Sequence, residues 1–311
     1  MSLYEEIVNF LLQSGGHEGK YRMRLDGSSR FVLITGASTG IGAACAMACA
    51  DRGMTVFAGV RSLEGTAALT GGARILPVLL DVTDAESIKQ AAAAVARQVG
   101  EAGLSGLINN AGIAIGGPLE LIPLDQLRRQ LEVNVIGQIA VTQAVLPLLR
   151  LARGRIVNMG SIAGRGTIPM MGPYSASKHA LEALTDALRL ELYPWGIEVS
   201  IVEPGAIATP IWDKSLKKSL EVEAEMPADR KHLYLAAAER IRESVGQAAA
   251  RAIPTDAVVN AVLHALTASR PKTRYLVGAD AKLRAAMQKW LPDRLQDWIL
   301  KKVLKLPDRP S

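Results

Sequence analysis

The chain has 311 residues and a formal net charge of +6; hydrophobic side chains make up 49% of it and aromatic ones only 4%. That length can bury one large core, and a core poor in aromatics must be built from Ala, Val, Leu and Ile, which suits helices packed on a parallel sheet. The charge is uneven: residues 281–311 hold eight basic side chains against three acidic ones, a net of +5, so the rest is nearly neutral and a general nucleic-acid binder is not expected.

Residues 1–29 carry an apolar stripe (Leu3, Ile7, Phe10, Leu11) that ends at Gly15-Gly16, and they read as an N-terminal extension. This start lacks the basic residues and long apolar run of a secretory signal. No stretch approaches the ~18 uninterrupted apolar residues of a membrane span. The expectation is a soluble, cytoplasmic protein. Cys45 and Cys49 fall in one predicted helix without metal-site spacing, so they read as small buried hydrophobes and no metal is expected.

From residue 31 onward, strand and helix signals alternate. The apolar run 31–35 ends at a glycine, as a buried parallel strand does. A helix follows over about 40–52, then strands at 55–58 and 74–80, and an Ala-rich helix from Asp84, a good N-cap, to about 99. Next come a strand at 104–108, a helix at 124–149, a strand at 155–159, a helix at 173–193 and a strand at 198–202. Residues 207–252 are polar and helix-prone, and are expected to form a mobile lid. A helix at 256–268 and a strand at 274–277 complete the pattern. The whole predicts an α/β fold: a doubly wound (Rossmann-type) parallel sheet with helices on both faces, in a single domain over 30–280. Residues 281–311 form a basic amphipathic helical segment broken at Pro292. Its apolar stripe is expected to pack on its own domain; peripheral contact of 281–306 with an anionic membrane is the alternative.

The first strand runs into Thr35-Gly36-Ala37-Ser38-Thr39-Gly40-Ile41-Gly42. Glycines there allow a tight strand-to-helix turn and bring a pyrophosphate close to the free N–H groups of a helix N-terminus. Gly36, Ser38, Thr39, Gly40, Ile41 and Gly42 are therefore the candidate phosphate cradle. The second strand ends with no carboxylate for a ribose 2′-hydroxyl, and Arg61 follows at once. An arginine there accommodates a 2′-phosphate and favours NADP(H) over NAD(H); the bland alternative is a solvated loop residue. Asp81 and Val82 are placed to meet the adenine edge, or form a plain loop near the Asp84 cap. Asn110, Ala111 and Gly112 close the fourth strand and leave room for a cofactor. Asn134, polar within an amphipathic helix, is a structural hydrogen-bonder or part of a proton relay.

Ser161, Tyr174 and Lys178 are the candidate catalytic group; the bland alternative is that a chain with six tyrosines holds one Tyr-x-x-x-Lys by accident. Residues four apart share a helix face, so the Tyr174 phenol and the Lys178 ammonium point into one space. A free tyrosine titrates near ~10, and a neighbouring positive charge is expected to pull Tyr174 down. Such a phenol can pass a proton to or from an alcohol oxygen.

Taken together, the turn over 35–42, Asn109-Asn110-Ala111-Gly112, Asn134, Ser161, Tyr174-x-x-x-Lys178 and Pro204-Gly205 resemble the short-chain dehydrogenases/reductases, closely over about 30–210 and loosely over 255–278. The resemblance implies Tyr174 as general acid/base and Lys178 as the group that lowers its pKa and holds the nicotinamide ribose. It implies Ser161 on the substrate oxygen and Asn134 positioning a water that links Lys178 to solvent. Pro204, Gly205 and Thr209 would flank the nicotinamide. It also implies a homodimer or homotetramer. One departure stands out: many NADP(H)-using members carry a basic residue in the glycine turn, where this chain has Thr39. The 174–204 stretch resembles the branch containing hydroxysteroid, retinol and hydroxybutyrate dehydrogenases. The expected substrate is a small molecule, a secondary alcohol or ketone on a fairly apolar skeleton, approaching past Met170 and Met171. The alternatives are NAD(H) with a small hydroxy acid, and a non-catalytic dinucleotide-binding protein, against which the complete Asn134/Ser161/Tyr174/Lys178 set argues.

Overall fold

Seven short segments rich in buried aliphatic side chains pair side by side: β1 (Phe31–Ile34), β2 (Thr55–Val60), β3 (Ile75–Leu79), β4 (Gly106–Asn109), β5 (Arg155–Met159), β6 (Glu198–Pro204) and β7 (Arg274–Val277). In this computed structural model, residues 30–64, 66–69 and 74–306 are described; the extension expected over 1–29 lies outside them. The strand order is β3-β2-β1-β4-β5-β6-β7 and every pairing is parallel. The chain leaves β1 outward to β2 and β3, then crosses back to β4 on the other side of β1. That reversal opens a crevice at the carboxyl ends of β1 and β4, where α/β sheets bind ligands.

Helices cover both faces, as expected. On one face, α1 (Gly40–Asp51) and α9 (Asp256–Thr267) bury Cys45, Cys49, Val258 and Val262 against Val32 and Val157. On the other, α2 (Ala85–Val99) and α4 (Gly137–Ala152) bury Val95, Val145 and Leu149 against Leu33, Leu107 and Ile156. On that same face α5 (Gly172–Glu191) follows β5, with Leu188 packed against this cluster. Asp84 caps α2 by accepting from the Glu86 N–H at 2.9 Å. Both cysteines are free thiols.

The helix expected over 124–149 is compound. α3 (Leu124–Leu131) joins α4 through a π-helical turn, Glu132–Ile136, which holds Asn134. The run Leu124–Ala152 has 29 residues and an 18-residue window of mean hydropathy 1.6, long and apolar enough to cross a membrane by length and composition. Here Val141, Val145 and Leu149 on it are buried against the sheet.

Residues 207–252 form three helices, α6 (Ile211–Glu225), α7 (Ala228–Lys231) and α8 (Leu235–Ala250), of which only Val222 and Ile241 are buried. The segment's two ends are tied together. The Ala208 N–H donates to the Ile253 carbonyl at 2.9 Å, and the Ile253 N–H to the Ala206 carbonyl at 3.1 Å. The chain ends in α10 (Ala279–Trp290) and α11 (Asp293–Val303), separated at Pro292 as expected. Their apolar stripe divides: Ala281 and Ala285 are buried against Ile162, whereas Trp290 and Trp298 are exposed.

Candidate active site

The glycine turn is shaped by two left-handed residues, Gly36 at φ 62° and Gly40 at φ 60°, conformations that side-chain-bearing residues rarely take. A Cβ on Gly36 would also lie 2.8 Å from the Ala111 backbone. Thr35 and Asn110 lace the crevice shut beneath it. Thr35 Oγ1 accepts from the N–H groups of Asn110 and Ala111 at 3.0 and 2.9 Å, and Asn110 Nδ2 donates to the carbonyls of Thr35 and Gly36 at 3.1 and 3.0 Å. A small-residue cradle at the start of α1 suits a pyrophosphate.

Ser38, Thr39, Gly40 and Ile41 border one large cavity of about 980 Å³, together with Gly36, Arg61, Asp81, Val82, Ala111 and Gly112. Asn110, Pro204, Gly205 and Thr209 border it too, as do Ser161, Met171, Tyr174 and Lys178. A single space thus joins the residues read as a cofactor cradle and those read as catalytic. Three expected site residues lie off it. Gly42 packs α1 onto the turn, where a Cβ would fall 2.3 Å from the Gly36 carbonyl oxygen. Met170, at φ 66°, borders a smaller neighbouring cavity of about 190 Å³ that Met171 also lines. Asn134 is fully buried and its side chain is spent on protein: Oδ1 accepts from the Ile113 N–H at 2.9 Å, and Nδ2 donates to the Ile113 carbonyl at 3.0 Å and to Ser177 Oγ at 3.1 Å. Both Nδ2 hydrogens are thus committed to protein acceptors, and Oδ1 to one donor.

Arg61 is exposed at the end of β2. Burial pushes the Asp81 carboxyl up, but hydrogen bonds from the Thr83 N–H and hydroxyl, with the charges of Arg61 and Arg129, outweigh it and hold the group below its ordinary value.

Ser161 ends β5's loop and caps the short turn Ile162–Gly164, its Oγ accepting from the Ala163 N–H at 3.1 Å. Tyr174 sits in the first turn of α5, and Lys178, one turn on, is 4% exposed. Lys178 Nζ donates to the Met159 carbonyl at 2.7 Å and lies 5.8 Å from the Tyr174 ring centre. The expected direction for Tyr174 is reversed here. Burial raises its pKa, and the facing Ser161 hydroxyl offsets only part of the rise. Burial instead lowers Lys178, from 10.5 to about 8, with the Glu182 carboxylate opposing. Desolvation disfavours the charged form of each group and is the largest cause of both shifts.

Behind this pair lies a cluster of buried charge. Glu203, fully buried on β6, takes a bidentate pair from Arg165, whose Nη2 donates at 2.9 Å. Arg274 on β7 donates to Glu182 at 3.0 Å and Asp186 at 2.6 Å, both on α5. The cluster therefore ties the loop after Ser161, the end of β6 and the helix bearing Tyr174 and Lys178 into one unit.

Two groups of cavity residues escape sequence reasoning. Lys214, on α6, reaches Thr39 Oγ1 at 3.4 Å and brings a cation to the glycine turn whose own sequence lacks one. The tail supplies a wall: Leu283, Arg284, Met287, Ile299 and Val303 all border the cavity. The amphipathic stripe over 281–306 is the only sequence signal for that wall, and it carries no address.

The short chain dehydrogenase family model matches residues 30–220. Retinol dehydrogenase 5 of Homo sapiens is 41% identical over 300 residues, covering 92% of each chain. The NADPH-dependent 3-dehydrocapnine reductase of Ornithobacterium rhinotracheale is 35% identical over 283 residues, covering 89% of this chain and 98% of that protein. Among solved structures, a short chain dehydrogenase from Burkholderia cenocepacia J2315 in complex with NADP superposes with a TM-score of 0.67 at 29% identity, covering 90% of this chain and 99% of that one. With the parallel sheet, the crevice turn and these similarities, the chain belongs to the short-chain dehydrogenase/reductase family and is an NAD(P)-dependent oxidoreductase acting on CH–OH groups.

Proposed function

We propose that this enzyme interconverts a secondary alcohol and a ketone on a fairly apolar, steroid- or retinoid-like molecule, using NADP(H), with Tyr174 as general acid/base. The observation that carries the reading is the shared cavity, which Ser161 and Tyr174 line together with the glycine cradle and with the aliphatic side chains of Leu283, Met287, Ile299 and Val303.

When bound, the dinucleotide supplies or accepts the hydride. Gly36 and Gly40 leave its pyrophosphate close access to the start of α1. Arg61, with Lys214 above Thr39, favours the extra phosphate of NADP(H). Names of two similar proteins point the same way, one an NADPH-dependent reductase and one a complex with NADP. Tyr174, kept protonated by burial, is suited to donate a proton to a carbonyl oxygen in the reductive direction. Ser161 hydrogen-bonds the same oxygen and orients it. Lys178, held by the Met159 carbonyl, keeps a positive charge beneath the phenol and stabilises the phenolate left after transfer. Asn134 is a positioning residue that pins Ile113 and Ser177 beside this pair.

Residues 207–252 act as the lid, hinged where Ala206 and Ala208 bond Ile253. We place the enzyme in the cytoplasm as a homodimer or homotetramer, to be checked by fractionation and by size-exclusion chromatography with light scattering. The function is tested by steady-state turnover of steroids, retinoids and short ketones with both cofactors. Turnover confined to small polar carbonyls overturns the substrate class, and a higher kcat/KM with NAD(H) overturns the cofactor preference.

A further inference from the structure

Among the described residues, Arg284 Nη2 is the one buried cationic atom without a hydrogen-bond partner. Its surroundings explain why no protein group reaches it. Asp280, one turn earlier on α10, faces the same way, but its carboxylate is committed elsewhere. It accepts from the Ala206 N–H at 2.8 Å and fills the space over Gly205 and Gly278, where added Cβ atoms would fall 2.1 and 2.3 Å from its oxygens. Asp280 makes no ion pair with Arg284 and acts on it only at longer range. Burial meanwhile pulls the arginine below its ordinary pKa, although a guanidinium keeps its proton under any physiological condition. A buried donor atom left unpaired is costly, and Nη2 belongs to a side chain that lines the cavity, where a bound group can meet it.

The position of Arg284 says which ligand. Its neighbours Ala281 and Ala285 are buried against Ile162, the residue after Ser161, and Arg284 lines the same cavity as Ser161. The phosphate cradle lies at the start of α1, across the crevice, and the nicotinamide end expected beside Gly205 carries no anion. We propose that Arg284 receives an anionic group of the substrate, a carboxylate, sulfonate or phosphate close to the reacting carbinol, while the aliphatic wall of Leu283, Met287 and Val303 takes the apolar remainder. The substrate is then an apolar carbonyl compound that also carries an acid group. This deepens the assignment of an apolar carbonyl substrate and rests on it. A bidentate, charge-assisted pair is the geometry that arginine makes with such oxyanions.

The test compares 3-oxodecanoate with its methyl ester, reduced with NADPH by the wild-type enzyme and by Arg284→Met. The expected result is a kcat/KM preference for the acid of about 10- to 100-fold, falling to near one in the variant and partly retained in Arg284→Lys. A wild-type ratio near one overturns the proposal, as does an unchanged ratio in Arg284→Met. A rise in the NADPH KM with the acid preference intact also overturns it, because the arginine would then serve the cofactor. If neither compound is turned over, the carbonyl-substrate reading is decided by the panel of steroids, retinoids and short ketones. Arg284 is judged in that case by calorimetric titration of decanoate and 1-decanol into the enzyme–NADP⁺ complex. Tighter decanoate binding that disappears in Arg284→Met supports the proposal, and equal binding of acid and alcohol overturns it. If Arg284→Met does not fold, Arg284→Gln carries both measurements.

Discussion

Lys178 Nζ donates to the Met159 carbonyl at 2.7 Å rather than to the Tyr174 hydroxyl, and stands 5.8 Å from the tyrosine ring. The ammonium is therefore anchored to the end of β5, and α5 carries the phenol past it. The geometry separates two tasks: β5 holds the charge in place, and the phenol is left free to meet a substrate oxygen.

Removing the phenol hydroxyl with Tyr174→Phe takes away the proton carrier but not the cradle over 36–42. Turnover should fall by about 10²- to 10⁴-fold. The dissociation constant for NADPH, read by fluorescence titration, should change little. Retained turnover would refute the assigned role.

Lys178 carries a stability cost with a definite pH signature. Its folded pKa, about 8, lies below the ordinary 10.5, so between those values the unfolded chain binds more protons and stability rises with pH. The cost of burying the ammonium is fully present below pH 8, on the order of 3 kcal/mol, and is gone above pH 10.5. Lys178→Met should raise the Tm at pH 7, lose that advantage by about pH 10.5, and be inactive throughout. Thermal melts at several pH values check this; a lower Tm at pH 7 contradicts it. In the wild type, the reductive rate should fall as pH passes about 8, where the ammonium beneath Tyr174 is discharged.

Arg61→Ala should raise the KM for NADPH about tenfold, the magnitude of one charge-assisted contact, and leave the KM for NADH nearly unchanged. Lys214→Ala should act in the same direction, and the double variant should lose more than either alone. Steady-state kinetics with both cofactors provides the measurement. Equal effects on NADH and NADPH would remove the case for a 2′-phosphate site.

Breaking the buried pair from one side should be severe. Arg165→Met removes both hydrogen bonds to Glu203, which has no exposed surface, and leaves it only the Arg274 guanidinium at 3.8 Å, at up to about 3–5 kcal/mol. Arg165→Met with Glu203→Leu should recover most of that loss, since both charges leave together. Urea unfolding of the three proteins reads the difference. If the double variant is as unstable as the single one, packing rather than charge compensation holds this corner.

Much of the fold was legible because its signals are local. An apolar run ending at glycine marks β1, Asp84 announces α2, and Pro292 separates α10 from α11. The expected strand and helix limits fall within a few residues of those observed. The π turn at Glu132–Ile136 was not legible, because a helix that gains one residue keeps the same polar and apolar alternation nearby. The same contrast runs through the site. Ser161, Tyr174 and Lys178 lie within one short stretch, whereas Lys214 and Arg284 reach the cavity from remote helices and leave no local trace.

By itself, the sequence determined the order of strands and helices, the glycine turn at the crevice and the identity of the Ser161, Tyr174 and Lys178 trio. Each of these depends on backbone freedom and on spacing along a few turns of chain. Only the tertiary structure decided that Tyr174 is raised rather than lowered, that Asn134 is spent on Ile113, and that the tail walls the cavity and points an unpaired Arg284 into it. Desolvation and charge compensation are sums over everything packed around a group, and most of what surrounds these residues comes from distant parts of the chain.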